Sequence, residues 1–152
     1  IRGREVVLSR ASTQYVRKLF ELEVPEIAQG IVEIKAITRE AGSRSKVAVA
    51  SSDPNVEPVG SCIGARQSRL ANILENMAGE RIDLIRYSED PGQFVVASLS
   101  PANAKLMEID RENKTCRVMV PADSLSLAIG KGGQNVRLAA RLTGYKIDII
   151  AE

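Results

Sequence analysis

The chain of 152 residues lacks several residue types on which common functions depend. It has no histidine, which removes histidine-dependent acid-base catalysis and the commonest metal ligand. It has no tryptophan, and aromatic residues make up 3% of the chain, which argues against a domain that binds bases mainly by stacking them on rings. The two cysteines, Cys62 and Cys116, form no C-x-x-C pair, so we expect small buried side chains rather than a zinc or redox site.

Long apolar runs are also missing. No segment approaches the ~20 apolar residues that a membrane-spanning helix needs, and no secretory signal opens the chain. We therefore expect a cytoplasmic protein without a membrane partner. Because the sequence begins at Ile1 inside a strand-like run, we also expect a piece of a longer protein. The formal charge is only +2, so a polyanion would have to be bound by a local basic patch.

An internal repeat organises the chain. The first copy contains "IGARQSRLANILENMAGERIDLI" and the second contains "IGKGGQNVRLAARLTGYKIDII". Each copy begins with Ile-Gly, runs through a helical pattern, stops at a glycine (Gly79 or Gly144) and enters a strand. In the first copy, Leu70, Ile73 and Met77 belong to the apolar stripe of an amphipathic helix. Such self-similarity predicts two copies of one small unit.

The remaining patterns complete each copy upstream of its glycine loop. Ser12 is expected to cap a helix that begins the first copy, and Asp123 or Ser124 is expected to cap a short helix in the second. Strands are predicted at residues 30–40, 45–51, 104–110 and 115–121, and the last strand of each copy begins near Ile82 or Ile147. Each copy therefore runs helix, strand, strand, helix, loop, helix, strand, which is an α+β fold with a three-stranded sheet packed against helices.

The second copy contains the loop Gly130-Lys131-Gly132-Gly133 between two helical segments. Glycine permits positive φ and leaves no Cβ to hold a ligand away. A helix that begins just after the loop points unpaired N–H groups and the positive end of its dipole into the same space. The loop therefore suits phosphate oxygens, and Lys131 adds a mobile positive charge at its tip.

Two other glycine motifs do not fit this loop. A Walker A loop needs a glycine five residues before Gly130, where Leu125 stands, and a serine or threonine after the lysine, where Gly132 stands. A dinucleotide-binding fingerprint needs glycine at the position of Asn135 and follows a strand rather than a helix. The pattern that fits is the G-x-x-G loop of KH domains, which clamps four backbone nucleotides of a single strand.

The first copy has the loop Gly64-Ala65-Arg66-Gln67, in which the fourth glycine is lost. The Gln67 side chain would block the approach of the backbone to a ligand or force a different start of the next helix. Arg66 and Arg69 are nevertheless close enough to meet phosphates, so we expect RNA contact here too. For both loops, a tight turn between helices with no ligand is the alternative.

Charged residues elsewhere receive simpler interpretations. Arg39, Arg44 and Lys46 flank a predicted turn between strands and could lend positive charge to RNA. Asp83 and Asp148 begin equivalent strands, which favours a structural role. The sequence shows no pair of nucleophile and base and no cluster of metal ligands, so we expect no enzyme, no cofactor and no metal.

Long collinear strings indicate a family. The resemblance is carried by "KLFELEVPEIAQGIVEIKAITREAGSRSKVAV", "DPNVEPVGSCIGARQSRL", "GERIDLIRYSEDP", "SLSPA" and "LSLAIGKGGQNVRLAARLTGYKIDI". The chain resembles the tandem KH region of the NusA family of bacterial transcription elongation, termination and antitermination factors. The resemblance covers nearly the whole chain and implies two tandem bacterial-type (type II) KH domains.

The resemblance also implies how the chain is divided. Residues 1–11 would be the tail of a preceding OB-type domain with its linker, residues 12–90 the first KH domain and residues 91–152 the second. The two domains would form one rigid platform for an extended RNA strand. RNA polymerase and other transcription factors would bind through the full-length protein, and the fragment would be a monomer.

The resemblance assigns motif residues to RNA by position. Arg137 belongs to the motif, and it also shares a helix face with Arg141, where the two side chains could extend a basic track. Ile129 could form one wall of a groove for bases. Gln67 stands where the family usually has glycine. The complete set of expected RNA-binding residues is Ile129, Gly130, Lys131, Gly132, Gly133, Gln134, Asn135, Arg137, Arg141, Gly64, Ala65, Arg66, Gln67, Ser68 and Arg69.

The sequence therefore predicts a non-enzymatic, sequence-tolerant binder of single-stranded (nascent) RNA. Backbone N–H groups and Lys131 would hold phosphates, and the groove would choose among bases by shape and edge hydrogen bonds. The alternative function is a KH-fold protein-interaction platform that does not bind nucleic acid. Salt would separate the two, because RNA affinity falls with salt in proportion to the phosphate contacts.

Overall fold

The computed structural model describes residues 12–152, so the expected OB-domain tail at residues 1–11 lies outside the described residues. The helices in this range are α1 (Thr13–Glu23), α2 (Pro25–Ala28), α3 (Pro58–Ile63), α4 (Ser68–Glu75), α5 (Pro91–Ser98), α6 (Leu125–Ile129) and α7 (Gln134–Thr143). The strands are β1 (Val32–Glu40), β2 (Arg44–Ser51), β3 (Arg81–Arg86), β4 (Lys105–Asp110), β5 (Thr115–Val120) and β6 (Lys146–Ala151). We call α1 to β3 the first module and α5 to β6 the second module.

Each module contains one three-stranded sheet, and the two sheets have the same topology. The strand orders are β1-β2-β3 and β4-β5-β6. In each sheet the first two strands are antiparallel and the last two are parallel. The irregularity also repeats, because the register shifts between Ile34 and Ala36 in one sheet and between Leu106 and Glu108 in the other. The prediction of an α+β fold with two copies of one unit is confirmed.

Local signals in the sequence explain where several helices begin and end. The Ser12 side chain accepts a hydrogen bond from the Gln14 N–H at 2.9 Å, so the predicted cap of α1 is confirmed. Asp90 caps α5 through the Gln93 N–H at 3.0 Å. Gly144 ends α7 with a φ of +78°, the left-handed conformation that glycine adopts without steric cost. These contacts fix the ends of the helices that pack on the sheets.

Two predicted helix ends differ from the structure. Helix α4 stops at Glu75, and Ala78 and Gly79 both take positive φ in the turn that follows, so Gly79 shapes that turn rather than ending the helix. Neither Asp123 nor Ser124 caps α6 with its side chain, because residues 122–124 form a 3-10 turn that leads directly into the helix. The 3-10 turn begins after Pro121, whose fixed φ starts the turn.

Each module buries an apolar core between its helices and its sheet. In the first module the core is centred on Val16, Phe20 and Ile73. In the second module it is centred on Leu99 and Val118. Burying side chains of this size stabilises the fold by about 1.5–3 kcal/mol each before the entropy of ordering them is subtracted.

A further apolar cluster joins the two modules. Ala48 and Ile85 of the first sheet pack with Phe94 and Leu142 of the second module. Next to this cluster, the Thr38 hydroxyl donates a hydrogen bond to the carbonyl of Leu138 at 3.1 Å. Helix α7 therefore packs on both modules, and the two cores meet at a common boundary.

Buried charges lie close to the same boundary. The Lys46 side chain is completely buried, and its Nζ donates to Asp83 Oδ2 and to the carbonyl of Ser100 in the second module, both at 2.9 Å. Arg44 Nε donates to the same carboxylate oxygen at 2.7 Å. Burial lowers the pKa of Lys46, against the attraction of Asp83. Asp83 is therefore the counterion of two buried cations.

A second buried pair fixes the turn between β1 and β2. Arg39 Nε and Nη2 both lie 2.9 Å from the carboxylate of Glu80. Burial works to raise the pKa of Glu80, but hydrogen bonds from Arg39, Ser45 and the Gly42 N–H outweigh it and hold the pKa below its usual range. The predicted turn around Gly42 is confirmed. The alternative in which Arg39, Arg44 and Lys46 lend charge to RNA does not fit, because all three are buried in ion pairs.

Within the described range, the two cysteines are buried and the helices are too short or too polar to cross a membrane. Cys62 and Cys116 are unpaired and buried, as predicted, and burial raises the pKa of the Cys62 thiol to about 12. A thiol with so high a pKa has almost no thiolate, which is the reactive form. Among residues 12–152, no helix has the length and apolar character that crossing a bilayer requires.

We predict that Asp83→Asn lowers the free energy of unfolding by about 3 kcal/mol, because it leaves two buried cations without a counterion. Asp148→Asn is the matched control, since Asp148 holds the equivalent place in β6 but is exposed beside Arg117. That change should cost less than about 1 kcal/mol. Denaturant unfolding of the three proteins measures both values, and equal losses would contradict the buried role of Asp83.

Candidate nucleic-acid interface

The two glycine loops have the same backbone conformation, position for position. In the second loop Gly130, Gly132 and Gly133 have φ values of +81°, +63° and +77°. In the first loop Gly64, Arg66 and Gln67 have values of +77°, +54° and +62°. The loop geometry is therefore kept where the glycines are lost, although each non-glycine residue in this conformation costs about 1–2 kcal/mol.

The helix after each loop also begins at the equivalent residue. Helix α4 begins at Ser68 and helix α7 at Gln134, and each of these residues donates its N–H to the second loop residue, Ala65 or Lys131. The alternative in which Gln67 forces a different helix start is therefore wrong. The Gln67 side chain is exposed at the surface of the loop.

Gly130 is required by packing inside the protein. A Cβ added at this position would lie 2.6 Å from the backbone nitrogen of Asn135, closer than real Cβ atoms approach backbone atoms. Asn135 is completely buried, and its Nδ2 donates to the carbonyls of Ala128 at 2.8 Å and Leu99 at 3.1 Å. The expectation that Asn135 contacts RNA is corrected for its side chain, because the carboxamide is enclosed and holds α5, α6 and α7 together.

The space around Gly132 is open, in contrast to the packed space around Gly130. A Cβ added there would meet no atom within 4 Å, and its φ of +63° is the reason for a glycine. Lys131 next to it is exposed, and Gly133 is half-buried. This side of the loop is therefore open to a ligand that approaches the backbone closely.

The helix starts behind both loops carry no side-chain cap. The positions before α4 and α7 are occupied by Gln67 and Gly133, and neither helix has a hydrogen bond from a side chain to its first N–H groups. Uncapped N–H groups and the positive end of the helix dipole favour an anion at such a place. The N–H groups of Gln67, Ser68, Gly133 and Gln134 already donate to loop carbonyls. Each loop therefore offers an anion the positive end of a helix dipole and the N–H groups earlier in the loop.

Apolar side chains lie beside the second loop on α6. Ile129 is 36% exposed and Leu127 is 48% exposed. Sequence reasoning named Ile129 and missed Leu127, whose alternation with small residues in "LSLAIG" was the available signal. The two residues give the second loop an apolar flank.

Gln134, Arg137 and Arg141 gather around a carboxylate of the first module. Arg137 donates to Glu40 from Nε at 2.6 Å and from Nη2 at 2.9 Å, and Gln134 Nε2 donates to the same group at 3.0 Å. Arg141 Nη1 lies 3.9 Å from it. Hydrogen bonds from Arg137 and then from Gln134 lower the pKa of Glu40 to about 2. The predicted basic track is therefore partly neutralised by Glu40, a residue that sequence reasoning missed.

The polar and charged side chains of the first loop and the helix after it differ in exposure. Arg66 and Ser68 are exposed. Arg69 instead turns inward, where its Nη1 donates to Glu26 at 2.8 Å and to the carbonyl of Ser61 at 2.7 Å. Arg69 is thus engaged in holding α3 and α4 together, and Arg66 is the exposed cation of this loop.

Comparison with known families identifies the fold. The model of the NusA-like first KH domain matches residues 10–87, and the model of the NusA-like second KH domain matches residues 91–152. The chain belongs to the NusA family. The prediction from the sequence is confirmed, and the two modules are the two tandem KH domains of this family.

Curated relatives from several bacteria support the assignment. Proteins named transcription termination/antitermination protein NusA are 50% identical over 151 residues in Halalkalibacterium halodurans, 51% over 146 residues in Thermus thermophilus and 53% over 145 residues in Mycobacterium tuberculosis. These alignments cover 99%, 96% and 95% of this chain and 40%, 38% and 42% of the relatives. The chain thus spans about two fifths of the length of these NusA proteins.

A solved structure shows the same fold at lower identity. The crystal structure of APE1850 superposes with a TM-score of 0.61 and is 22% identical, and the match covers 94% of this chain and 100% of that chain. The similarity extends across both NusA-like KH domains, so the tandem arrangement is found outside the close relatives.

We predict that Gly130→Ala and Gly132→Ala differ sharply in stability. The first change forces a Cβ against the Asn135 backbone and should lower the free energy of unfolding by about 3 kcal/mol, from overpacking and left-handed strain together. The second adds strain alone, about 1 kcal/mol. Chemical denaturation of both variants is the measurement, and a larger loss for Gly132→Ala would contradict the packing role of Gly130.

Proposed function

We propose that the chain binds single-stranded RNA across its two KH domains. The observation that carries this proposal is the second loop, where an open, left-handed glycine backbone leads into a helix whose first N–H groups have no side-chain cap. Phosphate is the ligand that such donors favour, and an exposed lysine lies beside them. The proposed domain boundary lies between residues 90 and 91.

At the second loop, backbone groups would make the main contacts. The N–H groups of Lys131 and Gly132 would donate to a phosphate, since those of Gly133 and Gln134 already donate to loop carbonyls. The Lys131 ammonium would pair with the same or a neighbouring phosphate. The lack of a Cβ at Gly132 lets the sugar-phosphate backbone approach within hydrogen-bond distance. These contacts position the strand without reading its sequence.

Bases would lie against the apolar flank formed by Leu127 and Ile129. Stacking on aromatic rings contributes little, because the chain is poor in rings and Tyr87 and Phe94 already stack edge-on against each other at 5.0 Å. Base choice would therefore depend on shape and on hydrogen bonds to base edges, which gives modest sequence preference.

The first loop would add a second point of attachment. Its backbone at Gly64, Arg66 and Gln67 has positive φ like the matching positions of the second loop, and Arg66 and Ser68 offer exposed side-chain donors. Arg69 would act indirectly by holding the loop on α3. Two attachment points on packed domains would favour an extended strand over a compact one.

The names of the curated relatives bear on the setting of this binding. They are called transcription termination/antitermination protein NusA. We propose that this chain presents its RNA surface within a cytoplasmic bacterial transcription factor and is itself a non-enzymatic monomer. RNA polymerase and other factors would bind through the rest of the full-length protein.

We predict that Lys131→Asp/Gly132→Asp weakens binding of a short single-stranded RNA at least tenfold, because the carboxylates repel phosphate. Aspartate tolerates the left-handed conformation, so the fold should persist. The parallel change Arg66→Asp/Gln67→Asp measures the share of the first loop. Fluorescence anisotropy at two salt concentrations gives the affinities and their salt dependence.

The matched control is Asn113→Asp/Lys114→Asp, which lowers the formal charge by the same three units as each loop variant. It also places a carboxylate at a left-handed position, since Lys114 has a φ of +57°. The control should bind RNA almost as tightly as the wild type. If all three variants bind RNA with the same affinity, or if the wild type does not bind, then the proposal that the loops hold phosphate is wrong. The alternative function, a protein-interaction platform, would then be favoured.

A further inference from the structure

One carboxylate of the first module makes its side-chain contacts with the second module. Glu40 is the last residue of β1, more than ninety positions before α7 in the sequence. Its two oxygens accept hydrogen bonds from Arg137 and Gln134, with Arg141 beside them. Ser43, in the turn after β1, accepts a further hydrogen bond from Gln134 at 2.7 Å. The end of β1 and the turn after it are therefore hydrogen-bonded to the first two turns of α7.

The same arginine also reaches the glycine loop. Arg137 Nη1 donates to the carbonyl of Gly132 at 3.0 Å, while its Nε and Nη2 are used by Glu40. A guanidinium presents its donors in a fixed plane, so fixing one edge on a carboxylate also fixes the direction of the remaining N–H groups. The contacts thus run without interruption from the first module to the tip of the second loop.

We propose that Glu40 is a positioning residue for the RNA clamp of the opposite KH domain. This inference rests on the proposed function, in which the second loop holds phosphate. The Gly132 carbonyl and the Gly133 N–H belong to one peptide plane, in which Arg137 holds the carbonyl and the Gly130 carbonyl accepts the N–H at 3.0 Å. Arg137, held by Glu40, anchors the Gly132 carbonyl and thereby fixes the orientation of the loop backbone that a phosphate would approach.

This assignment gives Arg137 a different part from the one expected in a basic track. Its donors to the carboxylate and to the loop carbonyl are all engaged, and releasing them for a phosphate would leave Glu40 without its strongest partner. The first loop offers a contrast, since there Arg69 anchors α3 and Glu26 within its own module. The second clamp therefore depends on its neighbouring domain.

The test is the sign of the change in RNA affinity caused by Glu40→Gln. If Glu40 merely neutralised Arg137, removing its charge would free a cation, tighten binding and steepen the salt dependence by about 0.7 per added phosphate contact. Positioning predicts the reverse: binding of a short single-stranded RNA weakens by roughly threefold to tenfold with no steeper salt dependence. Asp148→Asn raises the formal charge by the same one unit, but in strand β6, and it should leave the affinity almost unchanged.

A second measurement tests the contact without RNA. Amide heteronuclear NOE values for Gly132 and Gly133 should fall in Glu40→Gln, while those for Arg66 and Gln67 in the first loop should not. In an Arg137→Ala background, Glu40→Gln should change neither the NOE values nor the RNA affinity further. Unchanged NOE values in the single variant, or tighter RNA binding, would overturn the positioning role.

The two proposals fail in different ways. If the wild type does not bind RNA, or binds as tightly as Lys131→Asp/Gly132→Asp, then RNA binding by the loop is refuted, and the positioning role that rests on it falls too. If RNA binding depends on the loop but Glu40→Gln behaves like Asp148→Asn in affinity and NOE values, then only the positioning role is refuted.

Discussion

In both glycine loops the change of direction between two helices is made at backbone positions in the left-handed region, and the candidate site depends on this constraint. The second loop meets it with glycines, and the first meets it with Arg66 and Gln67 at a cost in strain. The same turn leaves the next helix without a side-chain cap, so the positive end of its dipole faces the loop. A place that favours an anion is thus a consequence of the way the helices are joined, and the surrounding side chains determine how each site is used.

The boundary between the KH domains gives these loops their setting. Packing of Phe94 and Leu142 against the first sheet, and the bond from Lys46 to the Ser100 carbonyl, hold the second domain against the first. Several charged side chains at this boundary form ion pairs within the protein and are therefore not available to a ligand. Glu40 engages Arg137, so the second loop depends on Lys131 and on its own backbone more than on an arginine track.

The sequence was sufficient for the fold because its signals are local or repeated. The stripe around Ile73, the cap at Ser12 and the stop at Gly144 each depend on neighbours a few residues away, and the second copy of the unit supported the first. The contacts of Arg39, Arg44 and Lys46 could not be predicted, since their counterions lie far along the chain and charge alone does not reveal burial. The partner of Arg137 was missed for the same reason, as nothing near Glu40 indicates that it faces α7.

The central claim is that both loops hold RNA phosphates through backbone N–H groups. Titration of the nitrogen-15-labelled chain with a short single-stranded RNA tests it most directly. The account predicts that the amide resonances of Lys131 and Gly132 shift together with those of Ala65 and Arg66, with one dissociation constant for both loops. Shifts confined to the exposed sheet around Met107, with the loop amides unchanged, would contradict it.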